Sequence, residues 1–456
     1  MPFRWKPREH AALLYYTAKW LLLLIPVSAS IGSAVAFFLW SLDCVMRFRW
    51  EHPWLLYLLP VAGVGIAALY HGFGKSAEAG NNLIIEQIHK PGGGVPKRMA
   101  PLVLFATLAT HAFGGSAGRE GTAVQMGGSI AAAFGKLFGL DAHDLRVLLM
   151  TGIAAGFGAV FGTPLAGAIF ALEVLALGRM NYDALIPCLI ASILGDWTCT
   201  LWGIHHTSYH IALSADPHLN AALMGKVALA SVAFGVAGML FSETAHGLNT
   251  LFKKIKSPLL RPALGGALVI TLTLLLGTED YLSLGVTSPD PQGVSILTAF
   301  KPGGAHAMSW FWKLLFTCVT ISSGFKGGEV TPLFFVGATL GHSLARLLGA
   351  PIDLFAGLGF VAVFAGASNT PLACAIMGIE LFGHEYAIYF AAACFIAYLF
   401  SGHSGIYLSQ KIGTPKTPTL QLDESLRSAR DAHLSKPDSL PKASADQESQ
   451  PIENSR

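Results

Sequence analysis

One segment of this chain occurs twice. TPLAGAIFALE (Thr163–Glu173) returns as TPLACAIMGIE (Thr370–Glu380), identical at seven of eleven positions. Upstream of each copy, GREGTAVQMGGSIAAAFGKLFG (Gly118–Gly139) aligns without a gap to GEVTPLFFVGATLGHSLARLLG (Gly328–Gly349). The two pairs of blocks lie 210 and 207 residues apart, so the second copy is only three residues shorter between them. A chain with this spacing is built from two related halves of about 200 residues each. Whether the copies run parallel or inverted is not fixed by the sequence.

The setting of the duplication is a membrane. Charged residues make up 12% of the 456 residues and apolar residues 53%, against roughly 25% charge in soluble domains. Such a chain cannot supply a charged surface for its size. Trp20–Leu42 runs 23 residues and Val147–Leu172 runs 26 residues without a charge. Either can cross about 30 Å of hydrocarbon as a helix. Other apolar segments, such as 100–113, 164–178 and 371–382, are too short to cross alone and begin or end at Gly, Pro or Ser. Broken helices of this kind are tolerated at membrane depth only where protein buries them or a watery cavity runs past them. Duplicated membrane folds place their ligand site between the halves.

Charge distribution suggests an orientation. The basic N-terminus, Lys90–Arg98, Lys253–Arg261 and the Lys411 and Lys416 region fall on one side under the positive-inside rule, which puts both termini in the cytoplasm. Met1–Lys19 carries five charges and no small-residue cleavage site, so no removable signal peptide is expected. The net charge of +3 gives no footprint for nucleic acid. None of the six cysteines forms a CxxC pair, and they read as small core residues. The segment from Lys411 to Arg456 is rich in Ser, Pro, Asp, Glu, Lys and Gln and is expected to be disordered.

Ionisable residues inside apolar segments mark the chemistry, because burying them is costly. Glu120 sits in GGSAGREGTAVQMGG and is followed by an uncharged run of 15 residues. That run reads as a helix starting near Gly121, whose free N–H groups favour an anion. A carboxylate there is a tethered anion, able to occupy the site or to leave it when protonated. A plain helix cap is the competing reading. Glu329, in SSGFKGGEVTPLFF, precedes the equivalent helix of the second half, with Thr331 and Pro332 at its start. A salt bridge to Lys326 or Arg119 is the alternative role for it. Gly80-Asn81-Asn82 ahead of an apolar run offers amide donors, or simple N-capping. Glu173 and Glu380, which close the repeated helices, read as structural hydrogen-bonding residues. His205, His206, His210 and His218 read as loop histidines rather than a metal site. The chain has no HExxH metal pair and is not expected to be an enzyme or to need a cofactor.

GREGT resembles the GREGP or GKEGP element of the CLC family of chloride channels and anion/proton exchangers. The paired PLAGAIFALE and PLACAIMGIE blocks look like that family's repeated helices. Gly80-Asn81 falls where the family has its Gly-Ser anion loop. GHSGIYLSQKIG looks like its last membrane helix, whose tyrosine, here Tyr407, faces the central anion. The resemblance covers about residues 12–412. The departures are Asn81 for Ser, Thr122 for Pro, Glu329-Val330-Thr331-Pro332 in the second copy, and Val174 where an internal proton-relay Glu is usual. Together these resemble the fluoride-exporting CLC-F branch.

The resemblance implies an all-α integral membrane protein, an inverted repeat of many tilted and re-entrant helices. It implies a cytoplasmic N-terminus (1–11), two membrane repeats (12–220 and 221–412) and a cytoplasmic tail (413–456). It also implies a homodimer in a bacterial plasma membrane, each subunit with its own path, exchanging fluoride for protons. A chloride/proton exchanger or chloride channel of the same fold is the alternative. Glu120 is then the gating and proton-carrying glutamate and Glu329 an acid on the central path. Asn81, Tyr407, Thr331, Gly118, Arg119, Gly121 and Val330 surround the anion.

Overall fold

The computed structural model describes residues 7–91, 94–212, 220–417 and 422–435. The first half contains α1 (Pro7–Glu51), α2 (Leu59–Leu69), α3 (Asn81–His89), α4 (Met99–Ala112), α5 (Glu120–Leu137), α6 (Ala142–Phe161), α7 (Pro164–Glu173) and α8 (Leu185–Leu201). A long helix, α9 (Ala221–Lys253), opens the second. It is followed by α10 (Leu260–Leu276), α11 (Ile296–Ala299), α12 (Ser309–Ser322), α13 (Val330–Leu348), α14 (Ile352–Ser368), α15 (Pro371–Phe382) and α16 (Ala387–Phe400). The series α4 to α8 therefore corresponds to α12 to α16, element by element. The only strands among the described residues are β1 (Ala176–Leu177) and β2 (Lys411–Ile412), a short parallel pair.

Helix lengths follow from how the membrane is filled. At 45 residues, α1 is about 68 Å long and exceeds the hydrocarbon thickness, so it tilts or emerges. Its exposed Leu22, Phe37 and Trp40 form a lipid-facing stripe, while Trp20, Leu24, Val27, Ile31 and Val35 are buried. By contrast, α7 has ten residues, about 15 Å, and ends inside the protein. Lipid gives no hydrophobic drive between helices, so close packing has to supply the attraction. A Cβ on Gly127 of α5 would lie 2.1 Å from the Gly152 carbonyl of α6, and one on Gly337 of α13 would lie 2.0 Å from that of Gly359 in α14. The same glycine contact closes the same helix pair in both halves.

The repeated TPLA…E blocks cap one another. Glu173, at the end of α7, accepts from the N–H groups of Leu372 (3.1 Å) and Ala373 (2.8 Å) at the start of α15. Glu380, in the last turn of α15, accepts from Leu165 (2.9 Å) and Ala166 (2.8 Å) at the start of α7. Each carboxylate satisfies two free donors of the other helix. End meets start in both directions, so α7 and α15 are antiparallel, the relation of an inverted duplication. The structural reading of these two acids agrees with this geometry.

Two expectations about the C-terminal region differ from the structure. GHSGIYLSQKIG is not a helix but a run of turns leading into β2, and Gly402 takes φ 61° within it. The region after Lys411 is also not wholly irregular. Residues 423–427 run along 408–412 and lead into a further helix, α17 (Leu426–Ser435). Burial of Leu426 against Leu177 and Ile412 gives this polar segment the apolar anchor that its composition alone does not announce. Residues 436–456 lie outside the described residues.

Candidate functional site

The starts of α5 and α13 meet at the centre of the molecule. Gly118 and Gly328 form an isolated antiparallel bridge, with N–H···O distances of 2.6 and 2.7 Å. These are the residues that open the aligned blocks, so the bridge lies where the two copies touch. It needs glycine. A Cβ on Gly118 would stand 2.8 Å from the Glu120 carboxylate and 2.9 Å from the Gly328 carbonyl, and one on Gly328 would stand 2.7 Å from the Gly121 nitrogen.

Glu120 is the first residue of α5 and is 1% exposed. Its side chain does not cap its own helix. Thr331, in the first turn of α13, donates its backbone N–H to Oε2 (3.1 Å) and its hydroxyl to Oε1. The Arg119 N–H also donates to Oε2 (3.1 Å), and the Arg119 guanidinium lies 3.5 Å from Oε1. The carboxylate of one half thus occupies the anion-favouring helix N-terminus of the other. Sequence reasoning expected a tethered anion beside α5; the structure places its seat on α13.

On one side of this contact is a cavity of about 330 Å³, including its opening, lined by Arg119, Glu120, Thr331, His206, Tyr209 and the Phe334–Phe360 stack. On the other is a vestibule of about 1130 Å³, again with open solvent included, lined by Asn81, Gln125, Lys326, Glu329 and Tyr407 among others. Beside the vestibule, and sharing Asn81 and Tyr407 with it, Val124, Ile153, Phe170 and Val174 help enclose a smaller space of about 220 Å³. Asn81 and Tyr407 therefore face both the vestibule and the inner chamber. Gly80, at φ 57°, makes the turn into α3. Asn81 makes no capping bond, and its amide oxygen is buried without a partner. The neighbouring Asn82 instead accepts from the Ser409 N–H at 2.9 Å, which ties the Tyr407 segment to α3. The Tyr407 ring meets Phe170 edge-on at 6.3 Å.

Glu329 is the N-cap of α13 and opens to the vestibule. Its carboxylate lies 3.8 Å from a Cβ position on Gly121, so it stands beside the start of α5. Among the described residues it makes no salt bridge to Lys326 or Arg119; Lys326 instead lies 4.3 Å above the Tyr70 ring. Val330 is buried and lines none of these spaces, so it contributes backbone to the α13 start rather than a contact surface. The expected residues thus separate into one set at the outer cavity (Arg119, Glu120, Thr331), one at the vestibule (Asn81, Tyr407, Glu329) and two glycines where the helix starts meet (Gly118, Gly121).

Some neighbours were missed. His206 and Tyr209 line the outer cavity although the segment reads as a loop, and His218 lies outside the described residues. No cluster of metal-ligating side chains is found among the described residues. Gly114-Gly115-Ser116-Ala117-Gly118 has the spacing of a nucleophile elbow. No strand leads into it, and the buried Ser116 hydroxyl pairs with that of Thr317 at 2.9 Å rather than with a histidine. Lys313 is fully buried and donates to the carbonyls of Tyr281 (3.2 Å), Leu282 (3.4 Å) and Ser283 (2.7 Å). A charge within an apolar segment was the available signal for it.

The voltage gated chloride channel family profile matches residues 62–402. A chloride/fluoride channel protein of Pseudomonas syringae pv. tomato is 49% identical over 414 residues, 90% of each chain. Among solved structures, the crystal structure of a CLC-type fluoride/proton antiporter superposes with a TM-score of 0.82 at 34% identity, covering 87% of this chain and 98% of that one. A slow cyanobacterial Cl⁻/H⁺ antiporter shares the fold, with a TM-score of 0.70 at 19% identity over 84% of this chain and 94% of its own.

Proposed function

The chain belongs to the voltage gated chloride channel (CLC) family, and from that premise we propose that it is a fluoride/proton antiporter in which Glu120 alternates with the transported anion. One observation carries this reading. The Glu120 carboxylate already sits in an anion's place, held by the Thr331 N–H and hydroxyl at the start of α13. The fluoride assignment is supported by the relatives described above.

The cycle follows from charge. Ionised, Glu120 is the preferred occupant of the α13 N-terminus and closes the path. Protonation removes the charge that binds it there, so the side chain leaves and carries a proton. Fluoride then takes the vacated donors. Fluoride holds its water tightly, and a site can strip that water only by offering strong donors in low dielectric. Thr331 supplies a hydroxyl and an N–H, Asn81 an amide and Tyr407 a phenol. Glu329 cannot stay ionised and unpaired beside an anion, so it is protonated or paired with Lys326 when fluoride passes. No step needs a cofactor or a covalent intermediate, and the chain acts as a transporter rather than an enzyme. It works as a homodimer in a bacterial inner membrane, with residues 12–220 and 221–412 as its repeats. Both termini are cytoplasmic, and the vestibule beside the C-terminal segment is the cytoplasmic one.

Fluoride and chloride efflux from reconstituted vesicles tests the selectivity. Fluoride should leave faster by at least about tenfold, a discrimination of about 1.4 kcal/mol. Equal or faster chloride efflux would return the chain to the chloride-exchanger reading. The glycine bridge gives a second prediction. Gly118→Ala must displace the Glu120 carboxylate or part the bridge, overpacking that costs about 1–3 kcal/mol. Fluoride flux per reconstituted protein should fall strongly. Gly65→Ala, where a Cβ meets nothing within 4 Å, should leave flux unchanged.

A further inference from the structure

The C-terminal segment delivers a cation to the mouth of the anion path. Its backbone is fixed against the residues that follow Tyr407. The N–H of Leu426 bonds to the Gln410 carbonyl (2.9 Å) and that of Arg427 to the Leu408 carbonyl (3.0 Å). Ile412 and the 423–424 segment exchange two further bonds at 2.8 Å each. Leu426 is buried beneath this pairing, and Arg430 of α17 pairs with Glu243 of α9, whose other oxygen accepts from the Ser404 hydroxyl at 2.7 Å. Asp423, one of the segment's three acids with Glu424 and Asp431, faces Arg179 at 3.6 Å.

This docking leaves one side chain facing the path. Arg427 lines the vestibule with Tyr407, Asn249, Lys253, Lys326 and Glu329. Among the described residues it pairs with no carboxylate. Of the segment's other charges, Arg430 is matched by Glu243 and Asp423 by Arg179, while Glu424 and Asp431 do not line the vestibule. Together with Lys253 and Lys326, Arg427 makes the vestibule wall cationic against Glu78 and Glu329, and it stands one residue register from the chamber tyrosine.

We propose that Arg427 is an anion-recruiting residue, and that the 422–435 segment is a working part of the transport path that raises the local concentration of fluoride at the vestibule. This rests on the anion-transport reading above. It acts on entry and not on the exchange at Glu120. A unit charge about 8 Å from an entering anion in water-like surroundings changes its concentration about two- to threefold, and salt screens the effect.

The test uses full-length protein in proteoliposomes and compares wild type with Arg427→Ala, Arg427→Lys and Arg427→Glu. Half-saturating fluoride and maximal rate are measured at about 10 mM and about 300 mM ionic strength. At low salt, Arg427→Ala should raise half-saturating fluoride about two- to threefold and Arg427→Glu more, with maximal rate unchanged and Arg427→Lys close to wild type. At high salt the variants should converge. The proposal is overturned if Arg427→Glu matches wild type at low salt, or if the loss is the same at both salts or lies in the maximal rate, as a structural role of α17 would give. The wild-type arm reports separately on fluoride transport, so a failure there is not confused with a failure of Arg427.

Discussion

Glu120→Gln should abolish proton pumping driven by a fluoride gradient, leaving it at the level of protein-free vesicles. The substitution keeps the shape of the side chain and can still reach Thr331. It removes two properties at once. The amide carries no charge, so it no longer competes with an anion for the start of α13, and it cannot pick up and release a proton. Coupling is therefore lost completely. Fluoride movement itself persists as uncoupled leak, or stops if the amide remains bound to the Thr331 hydroxyl. Pumping is read as pH change in vesicles carrying an outward fluoride gradient. Full pumping by this variant would exclude Glu120 as the proton carrier.

Thr331 gives the second large effect. It offers two donors to whatever negative group sits at the α13 start, its N–H at 3.1 Å from Glu120 Oε2 and its hydroxyl to Oε1. Thr331→Val keeps the volume and the backbone donor but deletes the hydroxyl. A hydrogen bond to a charged group contributes about 1.5–3 kcal/mol, so fluoride affinity should fall about 10- to 100-fold. Thr331→Ser should restore most of it. Fluoride binding by titration calorimetry in detergent, with the Ser variant as control, separates a lost donor from a disturbed fold. Equal affinity in the Val and wild-type proteins would mean that the anion does not use this hydroxyl.

How much of this was legible in the sequence depends on how local the physics is. The duplication is legible as blocks repeated 207 to 210 residues apart, and the start of α5 as a short-range pattern, a glycine-rich turn followed by an uncharged helix. The position of the Glu120 seat is not. Its partner Thr331 is 211 residues away, and only the packing of the two halves decides that Glu120 sits at the helix start of the other half. The same holds for Glu173 and Glu380, whose crossed caps span 199 to 215 residues. Tyr407 was located through resemblance, but the helix around it was not found. Gly402 at φ 61° and the Asn82–Ser409 tie hold a turn where the resemblance implied a helix. The C-terminal segment misled for another reason. Its composition is that of a disordered tail, and one buried leucine, Leu426, is enough to dock it when the backbone of 408–412 offers partners.

The most direct measurement of the account is proton movement in wild-type vesicles loaded with fluoride or with chloride, the membrane voltage held at zero. The account predicts that an outward fluoride gradient drives protons inward against their own gradient. An equal chloride gradient should drive little or none. Proton movement driven equally by chloride, or fluoride efflux with no proton movement, would contradict it.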